Sequence, residues 1–314
     1  MIRVTEAAAL AAARWMGKGD AGRADQAAIA ATHAALNAVA FDGRIFLGEG
    51  DQHLAPILFT SQTVGRPTGP EAPPFDLALD PLECARSVAD GLANAMAIVA
   101  LAPRGSFIVP PTMYLEKLAV GPEAAETVSL DLSIGENLHR VAEAKRCNVG
   151  DLTVVILDRE RHRKLIEDVR RTGARIHLIP DGDTAASIAA ALPGSGIDMV
   201  IGTGGASAGM LAAAGLRCVG GQLLARLAPS DDQESALARR AGYNDLQRIY
   251  TARDLVRTDN VMFAATGVTD GDLLNGVRYR PAGATTHSLV LRSASRTRRF
   301  IVTEHYFDEN PDYS

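Results

Sequence analysis

Asp80 and Glu83 stand three residues apart at the end of a short apolar run, Leu77 to Leu79, with Pro81 between them. Two carboxylates and the Leu82 carbonyl on one tight turn can converge on a hard divalent cation, which takes several oxygens at roughly 2.0–2.6 Å. A second run, Arg44 to Leu47, ends in Gly48-Glu49-Gly50-Asp51 and brings two more carboxylates. Asp25 opens an alanine-rich segment expected to be helical to about Val39. A carboxylate there answers the helix dipole as readily as a cation. The chemistry such a set would support is activation of water and polarisation of an anionic substrate.

Further along, the residue types change to those that hold anions. Arg159, Arg161, His162 and Arg163 crowd the start of an expected helix, where the dipole disfavours cations and a bound phosphate would offset them. Asp181-Gly182-Asp183 follows a strand expected over Arg175 to Pro180. The glycine-rich stretch Gly202 to Gly209 reads as a loop between a strand, Ile197 to Ile201, and a helix, Ala208 to Leu216. Ligands of such sheets lie beyond the carboxyl ends of the strands, and free N–H groups at a helix N-terminus favour phosphate. The stretch lacks the G-K-[ST] of a Walker loop and the acidic partner of a dinucleotide fingerprint.

Taken in order, Glu49 to Asp51, the Asp80 turn, Met113-Tyr114-Leu115-Glu116-Lys117, Arg161-His162, Asp181 to Asp183 and Gly202 to Gly209 resemble the class II fructose-1,6-bisphosphatases. These are metal-dependent phosphatases of the inositol-monophosphatase-like superfamily, and the resemblance runs from about Val4 to Tyr306. It implies an α/β layered sandwich, the sugar-phosphatase fold of two stacked α/β subdomains. It implies a phosphorylated sugar as substrate and Mg²⁺ or Mn²⁺ as cofactor. By position, the metal ligands are Asp25, Glu49, Asp80, Glu83 and the Leu82 carbonyl, with Asp25, Glu49 and Asp80 the catalytic group. Substrate contacts fall on Glu83, Tyr114, Arg159, Arg161, Asp181, Gly182, Asp183 and Gly205, and a dimer or tetramer is expected.

Three departures bear on the chemistry. Cys84 and Ala85 stand where the family has Gly-Thr, so the hydroxyl that helps orient the attacking water is missing. Ser207 and Ala208 stand where it has Pro-Glu, so a carboxylate of the second metal site is missing. The acidic loop ends in Asp51-Gln52-His53-Leu54, with His53 a conceivable replacement ligand. A sugar-phosphate-binding paralogue, a regulatory or partner subunit, or a new reaction on a phosphorylated sugar is the alternative to a phosphatase.

The remaining features bound the reading. A formal charge of −5 and only 5% aromatic residues exclude a general nucleic-acid or anionic-membrane surface. Cys84, Cys147 and Cys218 are too few and too scattered for a disulfide scaffold or zinc ribbon, which fits a reducing compartment. Glu6, Arg14 and Trp15 interrupt the apolar N-terminus, so it reads as a helix rather than a signal peptide, and a soluble, cytoplasmic protein is expected. From Leu152 strands alternate with helices, which places a subdomain boundary near Gly150, giving segments 1–150 and 151–314. The last strands, His287 to Arg292 and Arg299 to Glu304, carry Arg292, Arg296, Arg298 and Arg299, which face solvent, substrate or a partner subunit.

Overall fold

Alanines at helical spacing let the first two helices lie close together. In the computed structural model, which describes residues 1–53, 55–66, 69 and 73–307, these are α1 (Ile2–Ala13) and α2 (Ala21–Ala38). The chain continues through β1 (Asp42–Leu47), β2 (Thr63–Val64), β3 (Pro74–Glu83), α3 (Ala85–Asp90), β4 (Met96–Pro103) and β5 (Tyr114–Val120). Next come α4 (Ile134–Lys145), β6 (Thr153–Leu157), α5 (Arg163–Thr172), β7 (Arg175–Ile179), α6 (Asp183–Ala189), β8 (Met199–Gly205) and α7 (Ala206–Val219). It closes with β9 (Gln222–Leu227), α8 (Asp232–Arg240), β10 (Tyr250–Thr251), α9 (Ala252–Leu255), β11 (Met262–Gly267), β12 (Arg278–Arg280), β13 (Gly283–Arg292) and β14 (Thr297–Tyr306).

The strands form two mixed sheets, one in the order β12-β13-β11-β4-β3-β1-β2 with β14 on β13, the other β10-β9-β5-β8-β6-β7. The fold is α/β, as expected. The division of the chain, however, falls elsewhere than at Gly150: one unit is Met1–Phe107 with Thr258–Ser314, the other Ile108–Arg257. Strand pairing decides this. β11 returns to lie antiparallel to β4 from Met262↔Leu101 to Gly267↔Met96, while the Tyr114 strand pairs with β8 and β9 in the second sheet.

In the first unit, Ala8, Ala9, Ala12, Ala24 and Ala28 pack with Leu82, Cys84 and Val88 in one buried cluster. Small residues bring the helix backbones close, so α3 and the carboxylate-bearing end of β3 are fixed against α1 and α2. In the second unit, Val154, Ile156, Leu118, Val120 and Met199 meet Leu138, Val141, Ile166 and Val169 of the covering helices.

Three local expectations change. α2 begins at Ala21 under an Asp20 cap that accepts from Arg23 N–H, so Asp25 lies beyond the first turn and is not explained by the dipole. Strand β3 does not stop at Asp80 but runs through Pro81 to Glu83 over a one-residue bulge, with Asp80 opposite Ile98 and Glu83 opposite Met96. Proline fits there because the bulge interrupts the ladder. Finally, Gly202 to Gly205 are strand and Ala206 already begins α7, so strand passes into helix without an intervening loop.

Candidate active site

The carboxylates lie in the first unit. β1 leaves its sheet at Gly48, whose missing side chain is obligatory: a Cβ there would stand 2.2 Å from the Leu58 carbonyl oxygen. The next residue, Glu49, donates its N–H to the same carbonyl at 3.0 Å, which fixes its backbone. Its carboxyl is pushed up to about 7, first by burial and then by the negative charges of Asp25 and Asp80. Burial also raises Asp25. On the bulge, Asp80 Oδ1 accepts the Leu82 N–H at 3.1 Å, the Leu82 side chain is buried among the helix alanines, and Glu83 is buried beside it.

Thus α2, β1 and β3 bring Asp25, Glu49 and Asp80 within electrostatic reach. Like charges held this way are relieved by a divalent cation, and oxygen-only donors suit a hard one. Among the described residues, no three His, Cys, Asp or Glu side chains already close on one point. A cation would have to draw these carboxylates inward. Asp51 and His53 are exposed, and Leu54 lies outside the described residues.

The raised Glu49 carboxyl makes stability depend on pH. Its folded value lies above the unfolded one, so the native chain holds more protons between about 4.5 and 7 and loses stability as pH rises through that window. Metal-free protein should lose about 2 kcal/mol from pH 5 to pH 8, allowing for solvent screening. Urea unfolding in chelator at both pH values tests this: Glu49→Gln should flatten the difference, and Mn²⁺ should raise stability more at pH 8.

Cys84 follows the carboxylates with φ 66° and ψ 46°, the left-handed region. A glycine is at ease there, whereas a side chain costs about 1–2 kcal/mol. The cysteine recovers part of this by burying its small side chain. Cys84→Gly should therefore change the melting temperature little, and Cys84→Val, β-branched in the same conformation, should lower it by several degrees. A neutral Cys84→Val would contradict the strain account.

The anion-side residues lie in the second unit. β5 and β8 pair Tyr114 with Gly205 and Leu115 with Gly204. Arg161 donates from Nε and Nη2 to the Thr203 carbonyl at 3.2 and 2.8 Å, and its guanidinium lies 5.4 Å from the Tyr114 ring centroid. His162 holds the same strand from the other side: its Nδ1–H donates to the Leu157 carbonyl and its Nε2 accepts the Thr203 N–H, both at 2.8 Å. That pairing requires the neutral ring, and burial, which lowers the His162 pKa, favours it. Arg159 is half-buried and, among the described residues, donates to the neighbouring Asp158 carbonyl at 3.0 Å. Asp181 accepts the Gly182 N–H, and Gly182, at φ 90°, turns the chain into α6.

Asp183 is a different residue from the one expected. It is buried, 2.5 Å from Lys117 Nζ, with side-chain exposures of 7% for Lys117 and 8% for Asp183. Lys117 also donates to the Gly205 carbonyl at 3.2 Å. A Cβ on Gly204 would fall 2.2 Å from the Asp183 carboxylate and 2.7 Å from Lys117 Nζ, so the glycine is there to admit the pair. Asp183 therefore ties β5, β8 and α6 together through Lys117. Lys117 carried no assigned role in the sequence reading; a lysine inside Tyr-Leu-Glu-Lys-Leu-Ala-Val, a strand with both faces covered, was the available signal.

The structure thus gathers Asp25, Glu49, Asp80, Leu82 and Glu83 in one unit, and Tyr114, Arg161, Asp181, Gly182 and Gly205 near one end of the other sheet. Residues 1–305 match the family model for bacterial, glpX-encoded fructose-1,6-bisphosphatase. The D-fructose 1,6-bisphosphatase class 2/sedoheptulose 1,7-bisphosphatase of Synechococcus sp. (strain JA-3-3Ab) is 40% identical, covering 98% of this chain and 95% of that protein. The fructose-1,6-bisphosphatase 1 class 2 of Escherichia coli (strain K12) is 42% identical, over 98% of this chain and 94% of its own. With the family model matching nearly the whole chain and relatives at 40–42% identity covered almost end to end, the chain belongs to the bacterial class II fructose-1,6-bisphosphatase family.

Proposed function

We propose that the protein is a phosphoric monoester hydrolase acting on a sugar bisphosphate, fructose 1,6-bisphosphate or sedoheptulose 1,7-bisphosphate, with Mg²⁺ or Mn²⁺ bound by Asp25, Glu49, Asp80, Glu83 and the Leu82 carbonyl. The observation that carries this reading is the Glu49 carboxyl, pushed up to about 7 first by burial and then by the neighbouring negative charges of Asp25 and Asp80. Uncompensated anionic crowding of this kind costs stability in the absence of a cation, and perturbed carboxyls cluster where chemistry is done. A bound divalent cation supplies a polarised phosphoryl oxygen and a water of lowered pKa. Glu49, whose carboxyl is pushed up to about 7, would accept the water proton, and Asp25 and Asp80 would orient that water. Arg161, braced by Thr203 and Tyr114, holds a phosphate of the substrate together with first-turn N–H groups of α7 beyond Ala206, whose own N–H donates to the Met113 carbonyl at 2.9 Å. The active form is a homo-oligomer, and no described helix is long and apolar enough to cross a membrane.

A specific observation favours a second reading, a sugar-phosphate-binding paralogue without efficient turnover. Ala85 is the first residue of α3 and Ala208 lies in the first turn of α7, and neither offers an oxygen at its tip. The deciding experiment is phosphate release from sugar mono- and bisphosphates with Mg²⁺ or Mn²⁺, beside Asp80→Ala. Release that vanishes in Asp80→Ala supports the hydrolase. Saturable sugar-phosphate binding without release retires it in favour of the second reading. The single tryptophan, Trp15, packs against the cluster that contains Leu82 and Cys84, so its fluorescence gives a cation titration independent of turnover.

A further inference from the structure

Two side-chain amides point at one imidazole nitrogen on α2. Asn37 Oδ1 accepts the Gly65 N–H at 3.2 Å and Gln62 Oε1 accepts the Leu58 N–H, so a backbone donor sets the orientation of each amide. Their NH2 groups are left to face His33, and both reach its Nε2, at 3.1 Å from Asn37 and 3.2 Å from Gln62. An amide NH2 only donates, whereas a ring nitrogen either donates or accepts. His33 Nε2 is therefore the acceptor, and the ring carries its proton on Nδ1.

Gln62 joins this ring to the carboxylate site. Leu58, which gives Gln62 its N–H, is fully buried at φ 58°, a left-handed conformation that crowds any residue with a Cβ. Such a residue persists only where its surroundings over-determine it. On one side Leu58 is held by the Gln62 side chain, and on the other its carbonyl accepts the Glu49 N–H at 3.0 Å. The rest of the turn is tied to β1: Ser61 N–H donates to the Ile45 carbonyl at 2.7 Å, and Ile45 N–H donates to the Gln62 carbonyl at 2.9 Å. Those bonds fix the Gln62 backbone and leave the Leu58 N–H to its side chain.

We propose that His33 is a positioning residue for Glu49: by accepting the Gln62 amide it holds the Leu58 peptide, and through that peptide the backbone from which the Glu49 carboxyl projects. The inference rests on the metal-site reading of Glu49 given above. What passes along the relay is orientation. A donor at position 33 would make Gln62 turn its oxygen toward it, and the Gln62 NH2 would then face the Leu58 N–H, donor against donor. A carboxylate at position 62 escapes this conflict, because both of its oxygens accept. Helix α2 thus presents Asp25 directly and fixes Glu49 through His33, so one helix serves two of the carboxylates.

Hydrogen exchange of the metal-free full chain, read at residue resolution, tests the relay. His33→Arg should speed exchange of the Leu58 and Glu49 amides roughly tenfold or more by easing local opening. His33→Arg with Gln62→Glu should restore their protection. Gln62→Met, which cuts the same link without adding a charge, should match His33→Arg. In the Trp15 titration the Mn²⁺ dissociation constant should rise about tenfold in both single variants, the usual cost of losing a group that orients a metal ligand, and return in the double variant. Unchanged exchange in both single variants overturns the assignment. Faster exchange with undiminished Mn²⁺ affinity overturns it as well, since His33 would then be structural only. A wild type that binds no Mn²⁺ overturns the metal-site reading instead, and the exchange comparison still decides whether His33 holds Glu49.

Discussion

Lys117→Met is expected to destabilise the second unit by about 3–5 kcal/mol, the cost of leaving one member of a buried ion pair unpaired. The Asp183 carboxylate would remain packed under Gly204 with its cation gone, and the Gly205 carbonyl would lose a donor as well. Relaxation is limited, because β5 and β8 are paired along their full length at this point. The companion variant decides the interpretation. Lys117→Met with Asp183→Leu removes both charges and should recover most of the loss, since apolar replacements of buried pairs are often neutral or better. Urea midpoints for the two singles and the double close the cycle. If Lys117→Met alone is neutral, the pair is not holding the three elements together. A fall in phosphate affinity beyond the fall in stability would mark Lys117 as a ligand contact as well.

The second large effect is a gain. Ala85→Thr with Ala208→Glu should raise the rate of phosphate release by a factor of about 10²–10³, the size of one or two interactions formed in the transition state. Both positions lie in the first turns of helices whose backbones are held by neighbours, Ala85 behind the Cys84 turn and Ala208 through its carbonyl, which accepts the Thr184 hydroxyl at 3.3 Å. New side chains there would start from fixed backbone positions. Adding Asp80→Ala to the double variant should return the rate to background. A gain that survives Asp80→Ala would place the chemistry somewhere other than the carboxylate cluster, and no gain at all would mean that the pocket has been reshaped for another ligand.

The sequence singled out Glu49, Asp80 and Glu83 as candidates because each follows an apolar run, and strand ends are where sheets deliver side chains; in the fold Asp80 and Glu83 share the bulged end of one strand. The family resemblance added Asp25, Tyr114, Arg159 and Arg161 by position alone. Fold class followed from the alternation of strands and helices after Leu152. What the sequence did not contain was which strands pair. β4 and β11 are separated by more than 150 residues yet lie side by side, and that single pairing moved the boundary from Gly150 to Phe107 and Arg257. Periodicity reports burial within one segment and carries no information about its partner. The same limit explains Asp183. In sequence it belongs to an exposed-looking Asp-Gly-Asp turn, and only the approach of Lys117 from a strand 66 residues earlier makes it a buried structural carboxylate. The raised Glu49 carboxyl likewise depends on its burial and on α2 and β3 bringing the charges of Asp25 and Asp80 near it. The sequence by itself determined the residue types and the elements that carry them. The tertiary structure decided which charges meet, because pairing energies depend on distance and burial, and both are set by contacts between segments far apart in the chain.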